Sequence, residues 1–159
     1  MNALLRGLMA GVAGTGAMTA YQLAVAKLQG KSLSTPVPSR WADAPAPAQV
    51  AKKVADATGS GRRVTLEDVP LLTNVMHLLY GAGWGSVYGS VVGRRASDPL
   101  VAGIEFGTGV WTTSYAELVP LGVYKPPWKY PAKVLALDLS YHLVYGLTVA
   151  GAYAALSDD

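Results

Sequence analysis

Residues 69–93 read VPLLTNVMHLLYGAGWGSVYGSVVG. These twenty-five positions hold no Asp, Glu, Lys or Arg, and His77 is the one side chain that titrates near neutrality. Gly81, Gly85, Gly89 and Gly93 recur every four residues, with Ser86 and Ser90 beside them. Such spacing keeps small residues on one side of a helix, drifting by about 40° per step at 3.6 residues per turn. Glycine inside a helix costs about 1 kcal/mol relative to alanine. Four in register imply that a neighbouring helix approaches closely and compensates, as small-residue faces allow. The stripe speaks for helix association and is silent on chemistry.

The pattern extends outward in both directions. Residues 7–26 carry no charge and are bracketed by Arg6 and Lys27. Gly7, Gly11 and Thr15 form one small row there, and Ala10 and Gly14 begin a second that stops at Met18. Residues 99–123 are apolar except for Glu105 and Glu117, with Gly103 and Gly107 as a further small pair. Residues 134–156 are apolar except for Asp138 and His142. A bilayer-crossing helix needs about 20 mostly apolar residues. The four stretches therefore predict an all-α integral membrane protein, one membrane domain built as a four-transmembrane-helix bundle with glycine-rich interfaces. Composition agrees with this expectation. The chain has 159 residues, of which 51% are hydrophobic and 14% charged, against roughly 25% charged in ordinary soluble domains. Mean hydropathy is +0.27. The chain has no cysteine, which excludes disulfides, iron–sulfur clusters and thiolate zinc sites.

A cleaved signal peptide is the rival reading of the first stretch, because Ala24-Val25-Ala26 resembles a small-residue cleavage site. Length, glycine content and the basic segment that follows oppose it. The charges sort by segment. Loop 27–68 carries Lys27, Lys31, Arg40, Lys52, Lys53, Arg62 and Arg63, and loop 124–133 carries Lys125, Lys129 and Lys133. With alternating sides, ten basic residues face three: Arg6, Arg94 and Arg95. Positive loops stay cytoplasmic, so both termini are expected outside and the long basic loop inside. This explains a pI near 9.2 without nucleic acid.

Within the long loop, Pro36, Pro38, Pro45 and Pro47 predict irregular chain. Ala48–Thr58 predicts a short helix ended by Gly59 and Gly61. It reads either as a solvated linker or as a helix on anionic headgroups with Lys52 and Lys53 toward them. Residues 124–131, YKPPWKYP, mix aromatics, cations and prolines, a rigid corner suited to a membrane–water interface.

Charged groups inside apolar helices are costly and must face protein. Asp138, His142, Gly146 and Ala150 form one four-spaced series, and Glu105, Gly109, Thr113 and Glu117 another. His77 and His142 each lie eight residues into their helices, about 12 Å at 1.5 Å per residue. Asp138 and Glu117 fall at similar depth, so His77, Glu117, Asp138 and His142 are expected to share a layer, bordered by Tyr141 and Tyr145. Glu105 stands apart. The layer reads as a structural network, as a proton or cation relay made of these groups, or as a haem or divalent-metal site at His77 and His142. No cofactor is predicted, because no strict metal motif is present. No nucleophile elbow or phosphate loop is present either, so no catalytic residue is assigned and the chain is read as a non-enzyme.

The segments GLMAGVAGTGAMTAYQ (7–22), HLLYGAGWGSVYG (77–89) and DLSYHLVYG (138–146), with the long basic loop, resemble the YagU-like proteins. These are small bacterial inner-membrane proteins of uncharacterised function. The resemblance covers most of the chain and implies a location, the bacterial cytoplasmic membrane. The expected partners are the lipid bilayer and other membrane subunits or a second copy. The expected role is that of an accessory or scaffold subunit, or else a small proton-coupled or cation permease.

Overall fold

Two proline-led starts and two side-chain caps set where the helices begin. The computed structural model describes residues 1–93 and 98–157. The Asn2 side chain accepts from the Leu5 amide and opens helix α1, Ala3–Leu28. Pro47 in the first turn opens α2, Ala46–Ala57, and Pro70 does the same for α3, Val69–Val87. Proline suits these positions because the first-turn amides have no intrahelical acceptor. Asp98 accepts from the Leu100 and Val101 amides and opens α4, Pro99–Leu118. Helix α5 is Ala132–Ala155, directly after Pro131. Gly59, at φ +76°, terminates α2. This left-handed backbone is readily adopted only by glycine.

Among the described residues the chain is all-helical, with five α-helices. The expectation of four transmembrane helices is not upheld. One helix, α5, is long and apolar enough to cross a membrane. The physical reason is that an uncharged stretch is not the same as an apolar one. Helix α1 is diluted by glycine, threonine and Gln22, and α3 by Asn74, His77 and glycine. Helix α4 carries two glutamates and three threonines. The charge count that put both termini outside rests on four crossings and loses its basis with them. Arg94 and Arg95, and the final Asp158-Asp159, lie outside the described residues.

Two boundaries also move. Residues 119–123 are not helical: Gly122 sits at φ +66°, and the Val123 amide returns to the Leu118 carbonyl. The Gly81–Gly93 stripe does not run through a uniform helix, because Tyr88–Val92 forms a π turn. The extra residue per turn lets the Tyr88 ring lie fully buried against Phe106 and Tyr153.

Helix α1 packs on α3 and α5, and α4 packs on α5. The α1–α3 and α4–α5 contacts are backbone against backbone. A Cβ on Gly85 would collide with the Gly7 carbonyl and the Gly11 backbone, and one on Gly7 with the Gly85 carbonyl. At the α4–α5 crossing, a Cβ on Gly146 would meet the Gly103 carbonyl and the backbone of Gly107. Gly93 and Gly81 differ from Gly85 and Gly89, since the Tyr153 and Tyr88 rings face Gly93 and the Thr15 side chain faces Gly81, rather than another backbone. Gly14 of the second row faces Val149 and Tyr145 of α5. A smaller core of Ala44, Ala48 and Val69, flanked by Trp41, Leu66 and Leu72, fixes α2 on α3. So α2 is not a free-standing linker: Ala48 is completely buried, while Val54 is exposed.

Candidate functional site

Three close crossings leave a fourth seam wide. Helices α3 and α4 meet through aromatic rings rather than backbone. Phe106 stacks edge-on with Tyr88 at 4.9 Å and with Trp84 at 6.2 Å between centroids. Beside this plug lies a cavity of about 330 Å³, bounded by α1, α3, α4 and α5 and covered on one side by Pro45, Ala46 and Pro47. That volume is at the small end of the range for ligand pockets.

His77, Glu117, Asp138 and His142 all line this cavity, together with Tyr145. Glu105 is exposed and not part of the lining. Tyr141 is not part of it either, and packs its ring on Tyr21 at 5.6 Å. The series on α4 does not turn inward as a unit. Glu105 is exposed, and nothing lies within 4 Å of a Cβ built on Gly109. Gly103 and Gly107 mark the inner face of α4, and Glu105 lies about 200° around from Gly103. Glu117 falls at the flank of that face and stands at the cavity rim, where the exposed Tyr80 hydroxyl donates to its Oε2 at 2.9 Å.

Asp138 is the better-held carboxylate. Its Oδ2 accepts from Trp111 Nε1 at 2.9 Å and from the Tyr115 hydroxyl at 3.2 Å. His142 Nδ1 lies 2.8 Å from the Asp138 carbonyl and 3.9 Å from Asp138 Oδ1. A carbonyl only accepts, so Nδ1 carries the proton, and in the neutral ring Nε2 is an acceptor. Tyr124, on the loop after α4, completes this wall. Burial pushes its phenol up to about 12, and the nearby Asp138 and Tyr130 add to the effect.

Tyr80, Trp111, Tyr115 and Tyr124 are the residues missing from the sequence-derived layer. One signal was available: Trp111 and Tyr115 are four apart, so they share a face of α4 and can converge on one carboxylate. A buried carboxylate needs such donors. Among the described residues, no three His, Asp or Glu side chains come together as a metal-ligand set.

Two further bonds tie α5 to α3. The Tyr145 hydroxyl donates to the Gly81 carbonyl at 2.6 Å, and the Tyr153 hydroxyl to the Gly89 carbonyl at 3.2 Å. Both are buried. They reach backbone oxygens that the glycine stripe leaves uncovered.

No family model, no curated protein and no solved structure matches this chain.

Proposed function

We propose that the protein is a membrane-associated accessory subunit, held to the bilayer through α5, with a partner subunit docking on the apolar faces of its other long helices. The observation that carries this reading is where the apolar side chains point. Leu8 and Val12 on α1, Leu71 and Leu79 on α3, Val101 and Ile104 on α4, and Leu147 on α5 are all exposed. Apolar exposure on every long helix is unusual for a water-surrounded monomer. Helix α5 adds to it: only 22% of its span-length window is buried, whereas the core helix of a water-soluble fold buries most of its length. Trp128 at 78% exposure, between Lys125 and Lys129, suits an interfacial anchor at the entry to α5. The resemblance to YagU-like proteins implies the bacterial cytoplasmic membrane. Cell fractionation tests the location: the chain is expected in the membrane pellet after alkaline carbonate washing, and release by the wash overturns it. Mild-detergent purification from native membranes tests the accessory role. A partner at fixed stoichiometry is expected, and a lone monodisperse species overturns it.

The cavity favours a second reading, proton or cation handling by His77, Glu117, Asp138 and His142. Reconstituted vesicles carrying a pH dye test it. Flux lost in Glu117→Gln and Asp138→Asn is expected. Absent flux, or flux unchanged by both variants, overturns it.

A further inference from the structure

Most hydroxyl donors in the cavity are already committed. Five hydroxyls line it, apart from that of Tyr124, and each already donates to the protein. Thr15 donates to the Gly11 carbonyl, Thr73 to Val69 and Ser114 to Trp111. Tyr80 donates to Glu117, and Tyr145 to the Gly81 carbonyl. The acceptors are not used up in the same way. Both donors to Asp138 reach Oδ2, which leaves Oδ1 without a donor among the described residues except the distant His142 nitrogen at 3.9 Å. With Nδ1 donating to the Asp138 carbonyl, the neutral form of the His142 ring has Nε2 as an acceptor. Glu117 adds a second carboxylate at the rim.

The wall has two carboxylates and no Lys or Arg. Its remaining surface is apolar and aromatic, with Trp84, Tyr124 and Met76 among the contributors. Aromatic faces attract a cation most strongly where water is excluded. A bare divalent ion would need three or more ligands together, and the described residues offer no such set. An organic cation needs only one or two acceptors for its N–H groups and an apolar bed for its carbon body.

We propose that this cavity binds a protonated amine with an apolar body, its ammonium drawn by the carboxylates of Asp138 and Glu117 and its hydrocarbon on the aromatic wall. This assigns a ligand class to the cation-handling reading of the cavity and rests on it for any transport role, but binding itself is measurable without transport.

The test uses the purified full chain in mild detergent near neutral pH, followed by Trp fluorescence and calorimetry. The probes are phenethylammonium and its neutral counterpart, phenethyl alcohol. Saturable one-site binding of the ammonium is expected, with the alcohol weaker by about ten-fold or more, since loss of a charge-assisted contact has that order of effect. Asp138→Asn is expected to weaken the ammonium by a similar factor, and the exposed Glu67→Gln to leave it unchanged. Helical circular dichroism checks that Asp138→Asn is folded. If it is not, Glu117→Gln at the rim replaces it, with the same loss expected. No saturable ammonium binding, equal binding of the alcohol, or affinity unchanged in both carboxylate variants overturns the proposal. Flux without ammonium binding leaves the relay standing and removes this inference. Ammonium binding without flux does the reverse.

Discussion

The α1–α3 crossing and the α3–α4 seam share a helix and behave as opposites. On one side α3 presents glycine to glycine, so backbones touch and no space is left. On the other it presents Tyr80, Trp84 and Tyr88, so rings hold the neighbouring backbone away. Close approach contributes dispersion over many atoms and leaves nothing to bind. Ring-filled spacing is less dense at its ends, and there the cavity forms. The same helix therefore supplies rigidity from one face and a binding volume from the other.

Substitutions on each side sharpen this contrast. The largest effect is expected for Gly85→Leu, which has backbone of α1 in its way. Thermal or chemical unfolding should show a loss of about 3 kcal/mol or failure to fold, at or beyond the upper range for overpacking. Gly83→Ala on the same helix has nothing within 4 Å of its new Cβ, and should be neutral or stabilising by up to about 1 kcal/mol. Equal effects at the two positions would break the comparison. Next comes Phe106→Ala, which removes the plug between α3 and α4. A loss of about 3 kcal/mol is expected, with a larger cavity that admits bulkier apolar probes. Tyr145→Phe removes one buried bond to the Gly81 carbonyl and should cost about 1 kcal/mol in the same unfolding assay. The smallest effect is expected at Tyr124. Its folded phenol holds the proton up to about 12, against an ordinary 10.0. The stability it contributes is thus complete below pH 10 and is lost as pH rises through about 12. Tyr124→Phe should flatten that alkaline loss, which denaturation at neutral and alkaline pH would reveal.

Helix positions were legible in the sequence, because charge-free runs ended by Gly, Pro or Asp leave few alternatives. The number of membrane spans was not. Gly, Thr and Asn74 break a hydropathy average without adding charge, so scarcity of Asp, Glu, Lys and Arg overstated how apolar α1, α3 and α4 are. Depth along each helix placed His77, Glu117, Asp138 and His142 at one level, and all four line the cavity. Their hydrogen-bond partners were hidden, since Trp111 to Asp138 and Tyr80 to Glu117 cross between helices whose adjacency no spacing rule reveals. The outward turn of Glu105 and Gly109 was readable from angle alone, had Gly103 and Gly107 been taken as the reference face.

The two tyrosine bonds from α5 to α3 share one measure. Tyr145 and Tyr153 are eight residues apart, and so are the glycines they reach. Eight residues span about 12 Å on a helix, so both hydroxyls fall into place at one axial offset. Sliding α5 along α3 by a single residue breaks both bonds together rather than one after the other. The pair works like two pins in a hinge plate: it resists translation while leaving rotation about the line between them less constrained. Any motion that opens the cavity is therefore expected to swing α4 away from α3 rather than to draw α5 along its own axis.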